Sequence, residues 1–335
     1  MVDGLRAVGR QVMAIEVPGD FPAAPPPAAA ALDTALAGIP DGTTTVVDGL
    51  IFGAVPDVAA RHATRLRLIA LVHLPLAANP GLAPVMADTF RESETRALAS
   101  AAHVVITGHA TRALLDGYGV AASRLALVEP GTTRPSTARL AAARAWRGER
   151  AHTPGAVRVL SVGTINPGKG HARLLRALVA TGVTDWHLTC AGSLTHRPDT
   201  VTALRALVHD LGCESQLELA GDLPEAALAD AYASADVFAL ATERETYGMA
   251  VADALAWELP VVSTRTGAIP SLVGDTAGIV TPVGDNEALT TALRRVLGDS
   301  DLRRLLAAGA ARAAERLPSW QDQVATFARL LDSFA

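Results

Sequence analysis

"VRVLSVGTINPGKGHARLLRALVA", residues 157–180, decides the fold of this chain. Its opening, Val157–Val162, is an apolar run of strand length. Its close, from His171, carries apolar residues at helical spacing. Between them lie Gly163, Gly168 and Lys169. A strand, a glycine-rich turn and a helix in that order leave free backbone N–H groups at a helix N-terminus, and those groups attract anions. The spacing is that of a phosphate loop, G-x-x-x-x-G-K. Gly170 stands where a magnesium-binding Ser or Thr belongs, and no Asp ends the later strand Val237–Leu240, so a nucleoside triphosphatase is disfavoured. A glycine turn with an exposed lysine is the other reading of the loop alone. Of the 29 lysines and arginines, Lys169 is the only lysine.

Outward from this unit the same alternation repeats. Strands are expected at Gln11–Val17, Thr44–Phe52, Leu66–Leu74, His103–Thr107 and Leu125–Glu129. The second half adds Trp186–Ala191, Gln216–Ala220, Val237–Leu240, Pro260–Ser263 and Gly278–Pro282. Helical patterns such as Pro84–Ala101, Ala110–Tyr118 and Pro224–Ser234 fill the intervals, and Trp320–Phe334 closes the chain. Strand and helix alternating in this way mean parallel sheets covered by helices, an α/β fold. A chain of 335 residues exceeds one ordinary core, so two such domains are expected, with a linker near 134–156. Residues 1–9 read as a helix. A doubly wound domain ordinarily opens with a strand and a glycine-rich turn. We therefore expect the natural start to lie upstream of Met1.

Composition removes several function classes. Residues 1–150 hold 14 arginines against 13 acids, and residues 151–335 hold 15 basic against 21 acidic side chains. Neither half is a basic nucleic-acid surface. Cys190 and Cys213 fit no zinc or redox spacing. No apolar run reaches the roughly 18 residues that span a bilayer. The expected location is cytoplasmic, with peripheral membrane contact left open.

A second stretch, "ATERETYGMAVADALAWELPVVST" (241–264), repeats the strand, turn and helix pattern. Thr246, Tyr247, Gly248 and Met249 present amides at another helix N-terminus, with Glu245 just before it. Asp253 lies about 12 Å further along if that segment is helical. Two acids so placed can touch opposite ends of one extended ligand, though a capped helix with solvated acids explains them equally. Both loops follow strands of one sheet, and the C-terminal edge of such a sheet is where its ligands bind.

Glu245-Thr246-Tyr247-Gly248, with Asp253-Ala254 eight positions after Glu245, resembles the E-x-[FY]-G-x-x-x-x-E-A signature of family 4 retaining glycosyltransferases, the glycosyl transferases group 1. "VGTINPGKGH" (162–171) is similar to that family's VG-x-x-x-P-x-KG loop. "PVVSTRTGAIPSLV" (260–273) and "GIVTPVGDNEAL" (278–289) match its downstream motifs in order and spacing. In the first half, "ALVHLPL" (70–76) looks like its strand ending in a functional histidine, and "RLALVEPGTTRP" (124–135) like the end of its first domain.

The resemblance implies a GT-B fold, two doubly wound Rossmann-like domains facing across a cleft. Residues 1–140 would be the acceptor-side domain, 141–318 the nucleotide-sugar domain, and 319–335 a helix packing back toward the first. It implies transfer from a UDP- or GDP-sugar, with retention, to an unidentified small-molecule, glycan or lipid acceptor, with no metal or other cofactor. Lys169 would neutralise the donor diphosphate in the loop that begins at Gly163 and Thr164. The amides of Tyr247, Gly248 and Met249, beside Thr246, would bind its phosphates. Glu245 would contact the sugar, Asp253 the ribose hydroxyls, and His73 the reacting face. Thr164 stands where the family usually has arginine, and Asp253 where it usually has glutamate. A nucleotide-sugar binder without transfer activity and a sugar-nucleotide epimerase are the alternatives. Other features read as structural: Asp299-Ser300-Asp301 as a helix cap, Asp48-Gly49 as a turn or cleft residue, and Arg61, Arg65 and Arg67 as a solvated face.

Overall fold

A computed structural model describes residues 1–79, 81–150 and 155–334. The chain divides into two compact units, Met1–Gly131 with Pro318–Ala335, and Thr132–Leu317. Residues 137–150, expected in a linker, form the helix Thr137–Arg150 within the second unit. "TARLAAARAWRGER" is dominated by Ala and Arg, both strong helix formers. Its Ala143 is buried in that unit's core. Residues 151–154 of the expected linker lie outside the described residues.

The first unit contains four parallel strands, β1 (Thr44–Asp48), β2 (Arg67–Val72), β3 (His103–Ile106) and β4 (Leu125–Leu127), adjacent in that order. Alternate residues of β2 enter different cores, as a strand buried on both faces requires. Leu68, Ala70 and Val72 pack with Leu32, Phe52 and Leu98. Ile69 packs with Leu5, Val324 and Phe327, from the helices Val2–Ala7 and Trp320–Ser333. The expected strand Gln11–Val17 joins neither sheet. Its pattern of small and apolar residues suits a strand, but side chains hold its start instead. Arg6 donates to Val12 O (Nη2, 3.0 Å), and Arg10 bonds Ala328 O at 2.9 Å and Asp332. Met13 and Ile15 are left exposed.

The second unit contains β5 (Val157–Val162), β6 (Trp186–Ala191), β7 (Leu217–Gly221), β8 (Val237–Leu240), β9 (Val261–Thr264) and β10 (Gly278–Thr281). All its pairings are parallel, in the order β10-β9-β8-β5-β6-β7. This is the doubly wound order, and it reverses between β5 and β8. Val237 and Ala239 of β8 face one core, and Phe238 and Leu240 the other. Full burial of a side chain such as Phe238 contributes roughly 1.5–3 kcal/mol. Ligands of such sheets bind beyond the carboxyl ends of the strands at the reversal. In this chain those ends lead into Gly163–Lys169 and Glu243–Met249.

Candidate active site

Gly163 ends β5, a 3₁₀ turn spans Pro167–Lys169, and Gly170 precedes the helix His171–Ala180. The Asn166 side chain accepts from Lys169 N at 3.0 Å and fixes the turn. Gly170 has φ +70°, and a Cβ there would stand 2.0 Å from Ala241 O. The residue that replaces the Ser or Thr of a P-loop is therefore set by packing against the end of β8. A Cβ on Gly163 would meet Lys169 Cδ at 3.3 Å, so the lysine stem lies over that glycine.

The loop after β8 is tied to the first. Glu243 N donates to Gly168 O at 2.7 Å, and Thr242 Oγ1 lies 3.1 Å from the same oxygen. Arg173 pairs with Glu243 at 2.9 Å. These bonds bring together the two residues that the sequence marked most strongly: Lys169 Nζ forms an ion pair with the Glu245 carboxylate. Both side chains are largely buried, so the pairing compensates two charges that would otherwise be costly to desolvate. Glu245 N donates to Thr266 Oγ1 at 3.3 Å, and Gly267 (φ +54°) approaches so closely that a Cβ would lie 2.0 Å from Glu245 O. Gly248, in the left-handed region at φ +95°, caps the helix Met249–Ala256. Its first-turn amides lie beside Glu245.

The other expected residues of this unit separate by burial. The Tyr247 side chain is in the core, Met249 is half exposed, and Thr164 and Thr246 are intermediate. Asp253 lies within the helix, where burial pushes its pKa up to about 6. His171 opens the helix after Lys169; burial and then the Lys169 charge push its pKa down to about 4. It is neutral at pH 7 and adds no charge to the loop.

In the first unit, His73 follows β2. Its Nδ1 lies 3.3 Å from Thr107 Oγ1 and its Nε2 3.6 Å from Asp48 Oδ2. Asp48 ends β1, His73 follows β2 and Thr107 follows β3, so the C-terminal edge of the sheet assembles the three. Thr111 Oγ1 donates to His73 O at 3.0 Å and holds its backbone. Asp48 also caps the turn Gly49–Phe52, accepting from Leu50 N at 2.8 Å. The turn reading of Asp48-Gly49 therefore holds.

The sequence reading missed Thr107 and Glu94. Glu94 is fully buried in the helix Pro84–Ala99 and accepts from Leu76 N at 2.8 Å, three residues after His73. Burial pushes its pKa up to about 7. Its only signal was a charged residue among the apolar positions of that helix. Asp299 caps the helix Ser300–Glu315 as expected, accepting from Leu302 N at 2.9 Å. The expected solvated arginine face is only part solvent. Arg65 bonds Ile39 O at 2.7 Å and also Leu36 O, and so closes the end of the helix Pro26–Ala37.

A parallel sheet with two amide-rich loops at its switch point, in a chain that carries a second parallel-sheet unit, fits one class: a GT-B glycosyltransferase fold. Comparison with known proteins agrees. Residues 156–299 match the family described as glycosyl transferases group 1. D-inositol 3-phosphate glycosyltransferase of Xylanimonas cellulosilytica is 31% identical over 262 residues, covering 76% of this chain and 62% of that protein. The corresponding protein of Kineococcus radiotolerans is 31% identical over 227 residues, 61% of this chain and 51% of that one. The chain thus spans between half and about three fifths of these two relatives. Among solved structures, sucrose-phosphate synthase of Thermosynechococcus elongatus aligns with TM-score 0.74 at 21% identity, covering 92% of this chain and 77% of that one. Anabaena HepE in complex with UDP-glucose aligns with TM-score 0.73 at 18% identity, covering 92% and 82%. Residues 156–299 of this chain therefore belong to the glycosyl transferases group 1 family. Among the described residues, no helix is long and apolar enough to cross a membrane.

Proposed function

We propose that this chain is a retaining glycosyltransferase that moves a sugar from a UDP- or GDP-sugar to an acceptor without a metal ion. The observation that carries the reading is the Lys169–Glu245 pair at the switch point of the second sheet, flanked by two helix N-termini. In the proposed reaction the bond between the anomeric carbon and the diphosphate oxygen breaks, and negative charge gathers on the leaving phosphate. Lys169 and the amides at Tyr247, Gly248 and Met249 are fixed donors for that charge. Donor binding exchanges the carboxylate partner of Nζ for phosphate oxygens. It thereby releases Glu245 to accept hydrogen bonds from sugar hydroxyls. Lys169 keeps an anionic partner in both states, while the Glu245 carboxylate exchanges its cation for hydroxyl donors. Asp253 is assigned to the ribose and His73 a catalytic role on the acceptor-side unit.

The acceptor is open. Relatives named for D-inositol 3-phosphate and neighbours solved with UDP and glucose support beginning with those compounds. The test is release of nucleoside diphosphate from UDP-glucose and GDP-mannose, first without acceptor, then with inositol phosphates. Turnover that falls at least about tenfold in Lys169→Gln supports the reading. Tight nucleotide binding with no turnover under any of these conditions would reduce the protein to a binder, the outcome that Thr164 in place of arginine favours.

A further inference from the structure

The second unit holds a cavity of about 680 Å³ at the opposite edge of its sheet from Lys169. Ala156, Asp185, Asp236 and Pro260 line it, each immediately before the first residue of β5, β6, β8 or β9. Each strand rises about 3.3 Å per residue, so this edge lies roughly 15–20 Å from the Lys169 loop. Five arginines line the cavity: Arg144 and Arg147 with Arg150 from the helix Thr137–Arg150, and Arg303 with Arg304 from the start of Ser300–Glu315. Three acids oppose them, Asp185, Asp236 and Glu258. The lining is net positive, with five arginines against three acids.

The arginines are not equally satisfied. Arg144 is clamped by Glu258 through both carboxylate oxygens, and Arg304 pairs with Asp301. Arg303 Nη1 donates to the carbonyls of Val296 and Leu297, both at 2.8 Å. Arg147 Nη2 donates to Trp257 O at 3.1 Å. Carbonyls satisfy a donor without neutralising its charge. Arg150 Nη2 donates to Ala156 O and lies 3.7 Å from Asp236 Oδ2, but Arg147 Nη1 and Arg150 Nε are buried and have no hydrogen-bond partner among the described residues. Burial pushes the Arg147 pKa down, against the pull of Glu258 and Asp236. An orphaned guanidinium N–H costs stability unless something accepts from it. Apart from Ser300 the rest of the lining carries no polar side chain, and it includes Val157, Val183 and Leu297.

We infer that this cavity binds a small molecule with a phosphate-sized anionic head, taken by Arg147 and Arg150, and an apolar body resting on the alanine-, valine- and leucine-lined wall. Guanidinium forks match phosphate oxygens in number and direction, which a neutral ligand cannot exploit. The site is separate from the donor loop and independent of the proposed transferase chemistry.

The test is calorimetric titration of the full chain with 1-naphthyl phosphate, inorganic phosphate and the neutral 1-naphthylmethanol. Naphthyl phosphate should bind more tightly than either, retain its affinity in Lys169→Gln, and weaken about tenfold or more in Arg147→Gln. If circular dichroism shows that Arg147→Gln is unfolded, Arg150→Gln is read in its place. The inference is overturned if naphthyl phosphate does not bind, if the neutral alcohol binds equally, or if binding is lost in Lys169→Gln and kept in the arginine variant.

Discussion

Gly170 and Ala241 are in backbone contact: a Cβ on the glycine would stand 2.0 Å from the alanine carbonyl oxygen. The contact seats the Lys169 turn on the end of β8. Gly170→Ser, which would complete a P-loop motif, should therefore destabilise the protein. The left-handed φ of +70° alone costs a side-chain-bearing residue about 1–2 kcal/mol, and the overlap adds to it. Urea unfolding checks this, and a loss under about 0.5 kcal/mol would show that the loop can relax away from β8.

Asp253 is an acid whose folded pKa, about 6, lies above the ordinary 3.8. Between those values the folded state holds the extra proton, so its contribution is full below about pH 4 and is lost as pH rises through 6. At pH 7 the buried carboxylate costs on the order of 3 kcal/mol at most. Asp253→Asn should be more stable than the parent at pH 7, and the advantage should shrink toward pH 4 in denaturant titrations. If the carboxylate serves the ribose, the same variant should bind UDP more weakly at pH 7.

Glu94 has the same sign at higher pH, its pKa being raised from 4.5 to about 7. Stability should fall as pH rises from about 5 to 8, and Glu94→Gln, which keeps an acceptor for Leu76 N, should flatten that slope. Glu94→Leu removes the acceptor as well and should cost about 1–3 kcal/mol. An unchanged pH slope in the glutamine variant would show that Glu94 does not titrate in this range.

His73 is more than half exposed, and among the described residues its imidazole is held only by Thr107 and Asp48. His73→Ala should change stability by less than about 0.5 kcal/mol. On the proposed function it should lower turnover on the order of a hundredfold while leaving nucleotide affinity unchanged. Asp48→Ala should cost about 1 kcal/mol through its lost cap at Leu50, and Asp48→Asn, which keeps the acceptor, should not. Kinetics and thermal melts on the three variants separate these effects.

The second sheet was legible because its strands are mostly apolar, Val237–Leu240 without interruption, and lie between turn residues and helical patterns. Val157–Val162, Trp186–Ala191 and Val237–Leu240 have the bounds read from the sequence. The Lys169 and Glu245 loops were legible because glycine and charge at a strand end are local signals. Their pairing was not, since it depends on strand order, which places β8 beside β5 across the 74 intervening residues 163–236. Gln11–Val17 misled because apolar content marks a strand only when a neighbour is free to pair with it. Residues 137–150 misled because an Arg- and Ala-rich stretch without an apolar stripe reads as linker, yet its arginines anchor to Glu258 and Trp257 O. Glu94 escaped because burial of an acid is a tertiary fact.

The central claim is that Lys169 holds the donor diphosphate. Calorimetric titration of UDP and GDP, each beside its nucleoside, into the parent and Lys169→Gln tests it directly. The account predicts that at least one diphosphate binds the parent and loses about tenfold or more in the variant, a loss of about 1.4 kcal/mol, while nucleoside affinity is unchanged. Equal diphosphate affinity in parent and variant, or no binding of either diphosphate to the parent, would contradict it.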